Sequence, residues 1–135
     1  MRVFIDTNVW LSARFRSGLC ADLIEALLIE GITPMLDERV LAEFERIARD
    51  KLMVKGPLLR RSLAFFYRYA QVIPAAAQAA DGIPDPDDAW IIASALAARA
   101  DWFVTGDKAL LALGALEGLE LIDPRTAYLR LQGLA

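Results

Sequence analysis

The sequence has 135 residues, a net charge of −3 and no histidine, and 56% of its residues are apolar against 24% that are charged. This length and composition predict one compact domain over residues 1–135 and exclude a disordered chain. The lack of histidine excludes Ser-His-Asp and Cys-His catalytic pairs and His-ligated zinc, and the single cysteine, Cys20, excludes an internal disulfide and favours a reducing compartment.

The first half of the sequence alternates strands with helices. Short apolar runs predict buried strands, and apolar residues at helical spacing predict amphipathic helices. In chain order we expect a strand at 3–5, a helix at 19–30, a strand at 33–36, helices at 38–50 and 58–70, and a strand at 72–73. Asp6 is expected to open a loop after the first strand, and Asp37 to cap the helix that follows it.

The second half begins at an acidic, proline-rich boundary, Gly82-Ile83-Pro84-Asp85-Pro86-Asp87-Asp88. The alanine-rich stretch at 75–80 before it fits a short helix or a loop. After it we expect a helix from Pro86 to near Ala100, a strand at 102–104, a short helix through Leu110 and Leu113, a strand at 119–122 and a final helix after Pro124. This alternation predicts an α/β fold with a parallel sheet covered on both faces.

Charge is distributed unevenly along the chain. Residues 39–68 carry eight basic side chains against three acidic ones, whereas residues 69–107 carry Arg99 alone against six aspartates. This asymmetry fits a cation-filled acidic pocket beside a basic wall that a phosphate chain crosses, and it also fits ordinary solvated helix faces.

Three aspartates are predicted to meet at one edge of the sheet. Asp6 and Asp107 follow predicted strands, and Asp88 lies in the first turn of a helix. Ligands bind at the carboxyl ends of strands in open α/β sheets, and converging carboxylates repel each other unless a cation lies among them. The sequence therefore favours an oxygen-ligated Mg²⁺ or Mn²⁺, although each aspartate also fits a turn or a helix cap.

A fourth acid is left open by helical geometry. In the helix at 38–50, Glu43 flanks the apolar face on one side and Glu45 flanks it on the other. The spacing does not choose between them.

Four segments of the sequence resemble, in order, the motifs of PIN-domain ribonucleases. They are Val-Phe-Ile-Asp-Thr-Asn-Val near the start, Leu-Ala-Glu-Phe around Glu43, Asp-Pro-Asp-Asp-Ala-Trp-Ile-Ile-Ala-Ser-Ala-Leu from Asp85, and Phe-Val-Thr-Gly-Asp-Lys-Ala-Leu-Leu from Phe103. The chain is most similar to small prokaryotic PIN proteins of the toxin–antitoxin type, the VapC-like toxins.

The resemblance implies a three-layer α/β/α sandwich with a central, mainly parallel sheet, and a metal-dependent endoribonuclease that uses Mg²⁺ or Mn²⁺. The catalytic and metal-binding acids that match the family are Asp6, Glu43, Asp88 and Asp107, with Asn8 and Thr105 as polar supports. Asp85 and Asp87 resemble extra acids that widen the metal site or only cap the helix. Hydrolysis by water is expected to leave 5′-phosphate and 3′-hydroxyl ends.

Further expectations concern partners. The basic side chains expected to hold the RNA backbone are Arg14, Arg16, Arg46 and Arg49, and Trp10 or Tyr67 would either stack on bases or pack in the core. The resemblance also implies a homodimer and a cognate antitoxin protein. No apolar stretch approaches the ~20 residues of a membrane span, so we expect a cytoplasmic protein.

Two alternatives remain at this point. A phosphatase of the haloacid dehalogenase type also begins with a strand-end aspartate, but its usual second aspartate is replaced here by Asn8. A binding module would keep the PIN fold without turnover, and it would bind its partner while hydrolysing nothing.

Overall fold

The structure is a computed structural model that describes residues 1–134. The strands in this part of the chain are β1 (Val3–Ile5), β2 (Met35–Asp37), β3 (Gln71–Ile73), β4 (Trp102–Val104), β5 (Ala115–Leu116) and β6 (Leu119–Ile122). The helices are α1 (Thr7–Phe15), α2 (Leu19–Ile29), α3 (Glu38–Asp50), α4 (Gly56–Tyr69), α5 (Pro86–Ala97), α6 (Lys108–Leu111) and α7 (Pro124–Leu131). No helix within residues 1–134 is long and apolar enough to cross a membrane.

Most predicted elements are present, but two expectations are wrong and one strand was not expected. The loop expected after Asp6 is instead the start of α1, because the Asp6 side chain accepts a hydrogen bond from the backbone of Thr7 and caps the helix. The short helix expected to reach Leu113 ends at Leu111. Strand β5 was not predicted, and it forms a hairpin with β6 whose turn residues Glu117 and Gly118 have φ angles of 50° and 87°.

Residues 75–80, whose sequence fits a short helix or a loop, form a loop. Asp37 caps α3 as predicted, through a 2.8 Å hydrogen bond from the backbone of Val40. Asp85 similarly caps α5, with Pro86 in its first turn.

The six strands form one sheet in the order β3-β2-β1-β4-β6-β5, in which only the β5–β6 pair is antiparallel. The predicted mainly parallel sheet is therefore confirmed. From β1 the chain adds β2 and then β3 on one side of β1. It then crosses back over the sheet and adds β4 and β6 on the other side of β1. Because such crossovers are right-handed, the reversal places α5 on the face opposite α1 to α4 and gives the predicted three layers.

The same reversal defines where a ligand site is expected. Strands β1 and β4 are neighbours, but the chain leaves β1 toward β2 and leaves β4 toward β6. Connections that diverge from adjacent strands open a crevice at their carboxyl ends. In this chain the residues at that crevice are Asp6 and Thr105.

Aromatic packing fixes the helices that surround the crevice. Phe4 and Phe103 stack across β1 and β4 at 5.4 Å. Phe66 of α4 packs edge-on against both Trp10 of α1 and Phe44 of α3, with ring centroids 4.8 Å apart in each pair. Since Phe44 is fully buried, its packing also determines where the neighbouring Glu43 lies.

Candidate active site

Asp6 is a buried carboxylate at the carboxyl end of β1, with only 6% of its surface exposed. Its Oδ1 accepts a hydrogen bond from the backbone of Thr7 at 2.8 Å, and its Oδ2 accepts one from the hydroxyl of Thr105 at 2.7 Å. Burial raises the pKa of Asp6 above its ordinary value, although both hydrogen bonds act in the opposite direction. The fold thus holds this carboxylate where its negative charge is poorly solvated.

Thr105 links Asp6 to Asp107. It is fully buried, and the pairing of Ile5 with Val104 brings it beside Asp6. Its hydroxyl oxygen also accepts a hydrogen bond from the backbone N–H of Asp107 at 3.1 Å. One hydroxyl therefore contacts two of the candidate acids.

Asp107 caps α6. Its Oδ1 accepts hydrogen bonds from two backbone N–H groups of that helix at 2.8 and 3.2 Å. The helix cap, which the sequence analysis gave as one role for Asp107, is confirmed. A carboxylate has about four acceptor positions, so capping leaves Asp107 capacity for a further ligand.

Asp88 lies in the first turn of α5 and is half-buried. Burial, followed by the negative charges of Asp6, Asp85, Asp107 and Glu43, raises its pKa to about 6. Two of these charges, those of Glu43 and Asp107, also raise the pKa of Asp6. Asp88 therefore lies within electrostatic range of the other three predicted acids.

Glu43 and Glu45, which helical geometry could not separate, have different surroundings. Glu43 is half-buried, and its charge raises the pKa of both Asp6 and Asp88. Glu45 instead lies 3.9 Å from Arg49, one turn along α3, in a solvent-exposed ion pair. Tertiary packing thus places Glu43, and not Glu45, on the side of the other acids.

None of the four candidate acids forms an ion pair with a basic side chain in residues 1–134. The ion pairs within residues 1–134 join Arg49 to Glu45 and Asp50, and Arg130 to Glu120. As the side chains stand, no group of three or more acidic or cysteine residues in this part of the chain is spaced to hold a metal ion. Hard oxygen donors with unbalanced negative charge are nevertheless the donor set that suits Mg²⁺ or Mn²⁺.

Two of the predicted supporting residues, Asn8 and Asp87, line separate clefts. Asn8 is exposed on α1 and lines a cleft of about 340 Å³ with Ser12, Phe15 and Arg16. Asp87 is exposed and lines a second cleft, of about 270 Å³, together with Glu43 and Arg46 of α3. Asp85 caps α5 by accepting a hydrogen bond from the backbone of Asp87 at 2.9 Å.

The predicted RNA-binding arginines are also separated. Arg16 lines the cleft with Asn8, and Arg46 lines the cleft with Glu43. Arg14 instead stacks on Phe65 at 4.1 Å, in a groove between α1, α2 and α4, where burial lowers its pKa. Arg49 is held in ion pairs.

Of the two aromatic residues considered for stacking on bases, Trp10 is fully buried and belongs to the core. Tyr67 is 72% exposed on α4. Only Tyr67 therefore presents a ring to solvent.

Two contacts were missed in the sequence. The guanidinium of Arg39 lies 4.4 Å from the ring centroid of Trp90, and the hydroxyl of Ser94 donates a 2.6 Å hydrogen bond to the buried carboxylate of Asp37. The alignment of Arg39, Glu43 and Arg46 on one face of α3 is a signal that the sequence contained. Nothing in it indicated that Trp90 and Ser94 of α5 would meet α3 and its cap.

Comparison with known proteins gives a family and a fold. The family model described as PIN domain matches residues 2–109. No curated protein matches the sequence. Among solved structures, the complex VapBC2 from Rickettsia felis, bound to a DNA fragment from its promoter, contains a similar chain. The identity is 20% and the TM-score is 0.67, over 91% of this chain and 98% of that one.

PAE2754 from Pyrobaculum aerophilum is also similar. Its TM-score is 0.63 at 15% identity, over 98% of this chain and 90% of that one. These two likenesses establish a shared fold.

Proposed function

Because the chain belongs to the PIN domain family, whose members are generally nucleases that use divalent metals, we propose that it is a Mg²⁺- or Mn²⁺-dependent endoribonuclease. In this proposal residues 1–135 form one domain that hydrolyses phosphodiester bonds of RNA. The observation that carries the proposal is the set of four carboxylates, Asp6, Glu43, Asp88 and Asp107, none of which forms an ion pair with a basic side chain in residues 1–134. The other three raise the pKa of Asp88.

The same four residues would hold the divalent ion. A bound Mg²⁺ or Mn²⁺ supplies a Lewis acid, which lowers the pKa of water and neutralises charge on the phosphate. Thr105 would keep Asp6 and Asp107 in fixed relative positions, since its hydroxyl contacts both. This preorganisation limits the rearrangement that ligand binding requires.

Asn8 and the arginines of the two clefts would contact the substrate. The amide of Asn8 is exposed on the first turn of α1, where it can donate a hydrogen bond to a phosphate oxygen. Arg16 and Arg46 line these two clefts and can contact the RNA backbone. Without histidine, proton transfer at this site falls to carboxylates and solvent.

We further propose that the chain is the toxin of a toxin–antitoxin pair, acting in the cytoplasm as a homodimer with a cognate antitoxin. The similarity to a chain of VapBC2 supports this part. Expression in a bacterial host should arrest growth, and Asp88→Asn should relieve the arrest. Normal growth at high levels of folded wild-type protein would count against a toxin.

The chemistry is tested by the ends of the RNA products. Hydrolysis by water predicts 5′-phosphate and 3′-hydroxyl ends, which ligation by an RNA ligase that requires a 5′-phosphate would detect. Products with cyclic phosphate ends would instead show attack by the ribose 2′-hydroxyl and contradict the proposed mechanism.

A further inference from the structure

A cleft between α3 and the start of α5 joins two arginines to the acidic cluster. It has a volume of about 270 Å³ and is lined by Arg39, Ala42, Glu43, Arg46, Asp87 and Ile91. Glu43 lines this cleft and is also one of the four candidate acids. The cleft therefore extends the candidate active site along α3.

Arg39 is held in this cleft by an aromatic ring. Its guanidinium carbon lies 4.4 Å from the ring centroid of Trp90, and none of the ion pairs found in residues 1–134 includes Arg39. Stacking restrains the guanidinium plane and leaves its N–H edge available for a ligand. A restrained donor loses less side-chain entropy on binding than a free arginine does.

Arg46 adds a second cation on the same face. Residues 39, 43 and 46 recur at helical spacing, so Arg39 and Arg46 flank Glu43 along α3. Arg46 is likewise absent from the ion pairs of the described residues, whereas Arg49 pairs with Glu45 and Asp50 at 3.9 and 3.0 Å. The free positive charge of α3 is thus concentrated beside Glu43.

We propose that this cleft binds a backbone phosphate of the RNA strand, with Arg39, restrained by Trp90, and Arg46 as its ligands. The inference rests on the proposed ribonuclease function and identifies where the strand lies. The planar guanidinium fork matches the geometry of a phosphate, and this site positions a nucleotide adjacent to the one that reaches the acids. Asp87 also lines the cleft, and its negative charge repels the phosphate backbone from that side of the cleft.

The test is binding of a short fluorescent single-stranded RNA of mixed sequence, measured by anisotropy in EDTA over a series of salt concentrations. Arg39→Met keeps an apolar side chain against Trp90 and removes the charge. It should raise the Kd about tenfold, which corresponds to one charge-assisted hydrogen bond. The slope of log K against log salt should become shallower by about 0.7, the value for one phosphate contact on a single strand.

Three further variants separate the phosphate contact from a change in folding. Arg39→Lys and Trp90→Leu should weaken binding but retain the salt slope, because both keep the positive charge. Arg99→Gln should leave binding unchanged, since Arg99 precedes β4 and lies at the opposite edge of the sheet. Thermal melting verifies that each variant is folded.

The outcomes distinguish this inference from the proposed function. If Arg39→Met binds RNA with the affinity and salt slope of the wild type, the phosphate site is wrong, even if the protein cleaves RNA. The phosphate site is also wrong if the wild type binds no RNA. If binding depends on Arg39 but the wild type cleaves no RNA with Mg²⁺ or Mn²⁺, the phosphate site stands and the nuclease proposal fails.

Discussion

The hydroxyl of Thr105 donates a 2.7 Å hydrogen bond to the carboxylate of Asp6, which joins the ends of two adjacent parallel strands. The contact lies where the connections from β1 and β4 diverge, the place where α/β sheets bind ligands. The same hydroxyl oxygen accepts the N–H of Asp107. Thr105 therefore orients two acids of the candidate site without belonging to either strand.

Thr105→Val tests this role. The substitution keeps the shape of the side chain but removes the donor to Asp6 and the acceptor for Asp107. We expect a loss of about 2 kcal/mol in unfolding free energy, because the buried carboxylate of Asp6 and the half-buried N–H of Asp107 each lose a partner. RNA cleavage should fall as well. Thr105→Ser retains the hydroxyl and should keep most of the activity, whereas equal loss in both variants would contradict an orienting hydroxyl.

Glu43 and Glu45 form a matched pair on one helix. Glu43→Gln should lower the rate of cleavage about 10- to 100-fold, the range seen when groups that support a metal site are removed. Glu45→Gln removes only an exposed ion pair and should leave the rate unchanged. Cleavage assays under saturating Mg²⁺ compare the rates of the two variants. An equal effect of both substitutions on the rate would contradict a role for Glu43 in the site.

Asp88 should make the metal-free protein less stable as the pH rises. Its pKa is near 3.8 in an unfolded chain and about 6 in the folded one, so between these values the folded state binds more protons. Stability therefore falls with rising pH in this window, and the penalty persists above pH 6. The raised pKa of Asp6 acts in the same direction.

Asp88→Asn should remove that penalty. In EDTA at neutral pH the variant should be more stable than the wild type by no more than about 1 kcal/mol after solvent screening, and the difference should vanish below the pKa of the unfolded state. Thermal melts across the pH range measure it. A wild type that is more stable than Asp88→Asn in EDTA at pH 7 would show that the acids are compensated.

Divalent metal should reverse this order. Mn²⁺ or Mg²⁺ that binds only the folded state stabilises it, by about 2.7 kcal/mol at a metal concentration of one hundred times the Kd. This stabilisation raises the melting temperature. Asp88→Asn should lose most of this shift. Asp101→Asn is the control, because Asp101 bonds to the backbone of Arg2 at the opposite edge of the sheet. Identical shifts in all three proteins would place the metal elsewhere.

Much of this fold follows from local patterns. Apolar runs at 3–5 and 102–104 predict the two central strands, and parallel strands place their following residues, Asp6 and Asp107, at one edge. The cap residues Asp37 and Asp107 could be predicted because an aspartate before a helix satisfies free N–H groups. The PIN match over residues 2–109 agrees with the motifs in the sequence and gives no support to the phosphatase alternative.

Relationships across the sheet could not be predicted in this way. Arg14 and Arg16 are two residues apart but line different grooves, because Arg14 lies in the last turn of α1 and Arg16 lies just after that helix. Helix α1 itself was not predicted, because the strand was expected to end in a loop. The choice between Glu43 and Glu45 depends on the packing of Phe44. The stack of Arg39 on Trp90 joins residues 51 positions apart, and no local pattern encodes it.

The most direct test of the central claim is cleavage of a mixed set of RNAs by the purified, antitoxin-free chain in Mg²⁺ or Mn²⁺, in parallel with EDTA, Asp88→Asn and Asp101→Asn. The proposed function predicts cleavage by the wild type and Asp101→Asn that EDTA and Asp88→Asn abolish. Cleavage that survives in Asp88→Asn, or no cleavage by folded wild type, would contradict a nuclease centre at these carboxylates. The second result would favour a PIN-fold binding module.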